Sequence, residues 1–114
     1  MVEKIGNYKL VYLFADNYPA GEMKSFIDFQ KNKNIDKSII VLVSVNENKV
    51  SIIIGITNDI LNFFDATHLV KVSSLIVGGK GGGGRKDLAQ AGGNIPKNSS
   101  QIYNAIKMEI LKLS

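Results

Sequence analysis

The 114-residue sequence has no cysteine and a single histidine, His68. The first absence excludes disulfides, thiol nucleophiles and thiolate metal sites, and it suits a reducing compartment. The second excludes a multi-histidine metal centre within one chain. Long apolar runs are missing too. The longest, residues 39–43 and 52–54, fall far short of the roughly 20 residues that a membrane helix needs. The opening Met-Val-Glu-Lys-Ile lacks the charged-then-apolar pattern of a signal peptide. The expectation is a soluble cytoplasmic protein with no membrane partner. Arginine is nearly absent, since Arg85 is the only one among 14 basic residues.

What is present fits one ordinary globular domain over residues 1–114, with 45% apolar and 21% charged residues. The net charge of +4 is unevenly spread. Residues 1–57 carry seven Lys against six acids, whereas residues 58–114 carry seven Lys or Arg against four. Between residues 78 and 97, Lys80, Arg85, Lys86 and Lys97 face only Asp87. Such a local excess suits a polyanion, although a solvated lysine surface has the same composition.

Periodicity gives the order of elements. Residues 8–14 (YKLVYLF) read as a strand, ended by the turn-type cluster Ala15-Asp16-Asn17. Pro19 suits a first helical turn, and a helix is predicted over residues 20–32. Its inner face is Met23, Phe26, Ile27 and Gln30, with Glu22, Lys24, Asp28 and Lys31 turned outward. Residues 38–45 and 50–57 are near-continuous apolar runs joined by a polar four-residue link. They read as a hairpin with both faces covered. Gly55 inside the second run marks a bulge or a close approach. A second helix is predicted over residues 66–77, with Leu69, Val70, Val72, Ser73 and Ile76 inward and Gly78 ending it. Ser99 or Ser100 caps a last helix reaching Leu113, with Ile102, Ala105, Ile106, Ile110 and Leu113 on one stripe. The fold class is α/β, a mixed β-sheet with helices packed on it.

Eight of the eleven glycines lie in residues 78–93, GGKGGGGRKDLAQAGG. Glycine is costly in conformational entropy. One explanation is a tolerated flexible loop with a possible short strand. The other is a surface stripped of side chains so that backbone N–H groups can approach an anion, with Lys80 and Arg85 bracketing it. Named phosphate loops do not fit. Residues 79–84 have the Walker spacing, but Arg85 and Lys86 follow where Lys and Ser/Thr are required. The dinucleotide pattern needs a preceding strand, and here a helix precedes.

The segment resembles the signature of the DHH-associated domain, in the form carried at the C-terminus of alanine–tRNA ligase, approximately GGKGGGRPDxAQAGG. The likeness extends to the hairpin, Ile39-Ile40-Val41-Leu42 and then residues 50–57 (VSIIIGIT), and to the spacing of the later elements. Residues 81–84 are four glycines where many relatives have three, and Lys86 stands where the family often has Pro. The resemblance implies a C-terminal domain of a longer chain, whose catalytic and editing domains lie upstream. It implies binding of tRNA(Ala) at its elbow, possible homodimerisation, and no catalytic or metal-binding residue here. ATP, magnesium and zinc are implied only for the parent enzyme, so no cofactor is expected in these residues.

The expected RNA contacts are Lys80, Arg85, Lys86 and Gln90, with Gly79, Gly81, Gly82, Gly83 and Gly84 presenting backbone. Asp87 is expected to brace the loop, and His68 to serve as a surface or capping residue. The tyrosines Tyr8, Tyr12, Tyr18 and Tyr103 and the Phe63-Phe64 pair are expected to pack rather than to stack on bases. Two rival functions stay open. One is the substrate-binding domain of a DHH-type phosphoesterase, and the other an oligomerisation module using the apolar last helix.

Overall fold

The computed structural model of the chain describes residues 2–79, 81–96, 98 and 100–113. Six strands form one mixed sheet: β1 (Val2–Ile5), β2 (Tyr8–Asp16), β3 (Ser38–Asn46), β4 (Lys49–Ile56), β5 (Gly82–Arg85) and β6 (Leu88–Asn94). Their spatial order is β1-β2-β3-β4-β6-β5. Among the described residues only β2 and β3 run parallel, and they are connected through helix α1 (Met23–Lys33). Helices α2 (Ala66–Ile76) and α3 (Gln101–Leu113) pack on the opposite face. The expected α/β class with a mixed sheet is what the chain forms.

The central hairpin follows the hydrophobic pattern. β3 is buried from Ser38 to Ser44, and β4 from Ile52 to Ile56. Its turn is tighter than expected, because Asn46 and Lys49 pair and only Glu47 and Asn48 lie between them, Glu47 at φ 55°. Gly55 does mark a close approach. A Cβ there would overlap Ile27 Cγ2 of α1, so the missing side chain lets the helix settle on β4. The two faces differ in depth. Among the described residues, twenty buried side chains form the core beneath α2 and α3, and six form the core beneath α1.

Other expectations shift. The turn before α1 is a 3-10 segment, Ala20–Glu22, and α1 itself begins at Met23. β1 was not expected at all. In α2, Ile76 is exposed, while Ser74 and Val77 take inward positions. Val77 and Gly78, with φ +74°, end the helix as the glycine predicts. Leu113, expected on the inner stripe of α3, is 39% exposed. Ser99 lies outside the described residues. Ahead of α3, Asn98 Oδ1 accepts from the Ser100 N–H at 3.1 Å and from its hydroxyl at 2.7 Å. Phe64 is buried and edge-on to Tyr8, but Phe63 is exposed. Tyr12 packs edge-on against Tyr103 and Tyr18 against Phe26, and burial pushes the Tyr12 hydroxyl up to about 12.

Candidate nucleic-acid interface

The glycine segment is an ordered hairpin at the sheet edge. β5 and β6 pair antiparallel through a two-residue turn, Lys86-Asp87. Hydrogen bonds fix it at both ends. At the turn, the Lys86 carbonyl accepts from Ala66 N at 2.8 Å. The Asp87 carbonyl accepts from Ile56 N at 2.9 Å and from Lys31 Nζ at 3.0 Å. At the base, the buried Ser74 hydroxyl donates to the Gly92 carbonyl at 2.5 Å and accepts from Gly81 N at 3.2 Å. Asp87 thus braces the hairpin, as expected. Lys31, expected to turn outward, instead crosses from α1 to the turn.

The glycines serve two purposes. At Gly79, a Cβ would overlap the Gly92 carbonyl and the Ser74 hydroxyl. At Gly82, it would overlap the Gln90 carbonyl, and at Gly93, Val77 Cγ2. Gly84 sits at φ +147°, and its Cβ would come within 2.7 Å of Ala89 Cα. These four are demanded by pairing and by the closeness of α2. At Gly83, a Cβ meets nothing within 4 Å, and the backbone is not left-handed. Gly83 is also exposed. Folding gives no reason for a glycine there.

Register places Gly83 on the α1 side of the sheet. It pairs with Gln90, which pairs with Ile53, which pairs with Leu42, and Ile53 and Leu42 belong to the α1 core. The neighbouring row on that face is Ser44, Ser51 and Gly92. Helix α1 covers β3 and β4 but leaves β6 and β5 open. The result is a groove walled by α1 on one side and floored by the hairpin. One part of it, about 350 Å³, is lined by Ala20, Met23, Ser51, Gln90 and Gly92 among others. An adjoining part, about 220 Å³, is lined by Lys24, Gly83, Gly84 and Gln90 among others. Both Ser51 and Gln90 are exposed, and neither side chain has a hydrogen-bond partner among the described residues.

Cations rim the groove. Arg85 shares a row with Leu88 and Gly55, so it points to the α1 side. Its Nε donates to Asp87 Oδ1 at 3.2 Å, while its side chain stays 71% exposed. Lys24 stands on the α1 wall, in an exposed 3.2 Å pair with Asp28. Lys31 lies below its ordinary value because it is partly desolvated; the Asp87 and Asp28 carboxylates oppose this, and Arg85 and Lys24 add to it.

The expected contacts therefore divide. Gln90, Gly83 and the backbone of Gly84 line the groove, and Arg85 stands at its rim on the same side of the sheet. Gly79 and Gly81 lie at the base of the hairpin beside Lys49, Gly93 and Asn94. Gly82 faces α2. Lys80 lies outside the described residues. Lys86 lines a different cavity, about 310 Å³, with Phe63, Asp65, His68 and Leu113. There the Lys86 charge, after the hydrogen bonds from Thr67, helps hold the Asp65 carboxyl below its usual range. His68 is a surface residue whose Nε2 sits 2.7 Å from Glu109 Oε1, joining α2 to α3. Sequence reading missed Ser51, Lys24 and Ser74 as site residues, while Gly92 lay within the glycine segment without being singled out. The sequence signals for the first two are that Lys24 is polar beside an apolar helix face and Ser51 is polar in an apolar strand.

The DHHA1 domain model matches residues 7–112. The chain belongs to the DHHA1 domain family. It is 40% identical over 106 residues to the alanine–tRNA ligase of Granulibacter bethesdensis, covering 93% of this chain and 12% of that protein. It is also 40% identical over 110 residues to the alanine–tRNA ligase of Rhodopseudomonas palustris, covering 96% of this chain and 12% of that one. The chain thus spans about one eighth of the length of the curated relatives it matches. Its fold matches the C-Ala domain from Aquifex aeolicus alanyl-tRNA synthetase with a TM-score of 0.89 and 24% identity, covering 97% of this chain and 98% of that one. A DHH-domain member of the s1p family of ribosomal proteins shares the fold at a TM-score of 0.66 and 18% identity, with 100% of this chain and 28% of that one covered. The resemblance read from the glycine signature is borne out in both sequence and fold.

Proposed function

We propose that this DHHA1 domain binds tRNA, laying RNA backbone in the groove between α1 and the glycine hairpin, and that it performs no chemistry of its own. The observation that carries this reading is Gly83, an exposed glycine that neither packing nor backbone conformation requires. Its bare backbone lies beside Arg85, whose forked cation suits phosphate. Among the described residues no aromatic side chain lines either part of the groove, so bases would gain no stacking there and backbone contact is the chemistry on offer. Likeness to alanine–tRNA ligases makes tRNA(Ala) the ligand of choice, with its elbow as the region engaged. In this reading the domain is one part of a longer enzyme that uses ATP to attach alanine to tRNA(Ala) and edits mischarged tRNA. Arg85, Gly83, Gly84 and Gln90 are the principal contacts, with Gly79 and Gly81 flanking them.

The test is titration of a tRNA(Ala) transcript against the chain at low salt. Binding should weaken steeply as salt rises. Arg85→Ala should cost about 10-fold in affinity and lower the salt slope by about 1. Gly83→Val should cost a similar factor by filling the floor. Affinity unchanged by both substitutions would remove the groove from the account. A mononucleotide or short oligonucleotide competing better than folded tRNA would favour a phosphoesterase-type substrate domain.

A further inference from the structure

The groove floor has a regular pattern beyond its glycines. Ser51 on β4 is directly opposite Gly92 on β6, and Gln90 on β6 is directly opposite Gly83 on β5. Each exposed polar side chain therefore stands beside a residue with none. The two are diagonal neighbours, because Gln90 pairs with Ile53, two residues along β4 from Ser51. Such neighbours stand about 7–8 Å apart. Ser51 and Gln90 line the same part of the groove. A hydroxyl and an amide each donate and accept hydrogen bonds. Neither is engaged within the described residues, and neither is needed to hold the sheet.

We infer that Ser51 and Gln90 read the ribose 2′-hydroxyls of neighbouring nucleotides and so make the groove prefer RNA to DNA. This rests on the proposed RNA backbone in the groove. The 2′-hydroxyl is itself donor and acceptor, and it is the group by which a protein distinguishes RNA from DNA at a given site. Lys24 on the helix wall and Arg85 at the hairpin end supply charge to phosphates on either side. They carry affinity that is blind to the sugar. Gly92 and Gly83 leave the space in which a ribose edge can reach the two polar groups. Both side chains keep solvent access, so each hydrogen bond is worth about 3-fold in discrimination and the pair about 10-fold.

The experiment compares a tRNA(Ala) transcript with a DNA of the same sequence as competitors for the 114-residue chain, in the unaltered protein and in four variants. The unaltered protein should prefer RNA by about 10-fold. Ser51→Ala and Gln90→Ala should each reduce that ratio about 3-fold, and the double variant should bring it close to 1. Arg85→Ala should weaken RNA and DNA together and preserve the ratio. Because Ser51 and Gln90 are exposed, the variants should melt with the unaltered protein. A ratio that survives the double substitution overturns the inference. So does an equal loss of RNA and DNA affinity in that variant, since the side chains would then be serving phosphate. If the chain binds no RNA, or Arg85→Ala and Gly83→Val change nothing, the groove reading fails and the inference with it.

Discussion

The two faces of the β4–β6–β5 end of the sheet use the same residue type to opposite ends. Beneath α2, small residues bring layers together: Gly82 and Gly84 leave room for pairing with β6, Gly93 leaves room for Val77, and Ala89 is buried. On the α1 side, Gly83 and Gly92 meet no close side chain and open the floor of a groove. Glycine on the first face is a packing residue, and on the second an access residue. A glycine-rich signature read along the sequence merges the two, and only strand alternation separates them.

The largest effect should fall on the closed face. Ile106 of α3 is fully buried in the deeper core, so Ile106→Ala should cost about 3 kcal/mol in denaturant unfolding. Gly84→Ala should cost about 2 kcal/mol, because its Cβ would strike Ala89 from a backbone conformation that side chains rarely adopt. Its mate Gly83→Ala should stay within about 0.5 kcal/mol of the unaltered protein. Equal losses at residues 83 and 84 would erase the division between packing and access.

A smaller effect belongs to the α2 cap. Asp65 Oδ1 accepts from Thr67 N at 2.9 Å and from the Thr67 hydroxyl at 2.6 Å. Asp65→Ala should lose about 1 kcal/mol near neutral pH. These bonds hold the Asp65 carboxyl below the ordinary range of an aspartate. A lowered folded value means stability that is present above the unfolded value and lost as pH falls through the folded one. Asp65→Asn should therefore keep the cap while flattening that part of the acid limb, measured by thermal melting from pH 6 to pH 2. The smallest effect sharpens the contrast between neighbours: Lys86→Ala should change tRNA affinity less than about 2-fold, against the 10-fold of Arg85→Ala, because the two side chains leave the hairpin on opposite sides.

Much of the fold was legible because hydrophobic spacing carried it. The near-continuous runs of residues 39–43 and 52–56 could only be buried on both faces, and the helical stripes of Ile102, Ile106 and Ile110 pointed to one core. β1 escaped because Val2–Ile5 is short and holds two charges, so its pairing with β2 rather than its pattern makes it a strand. The glycine hairpin escaped for a related reason. Gly82–Arg85 has little strand preference of its own, and β6 supplies the ladder. The site was half legible. Arg85, Gly83 and Gln90 lie within one signature, whereas Lys24 and Ser51 reach it only because β6 inserts between β4 and β5.

The bonds that tie the Lys86-Asp87 turn to Ala66, Ile56 and Lys31, and the Ser74 hydroxyl at the hairpin base, have a consequence for binding thermodynamics. A free stretch rich in glycine would lose more conformational entropy on docking than any other composition. Here that loss is incurred during folding, before a partner arrives. In the proposed RNA-binding role, association then needs little further ordering of the protein, and its rate should follow electrostatic steering of the ligand rather than rearrangement of the hairpin.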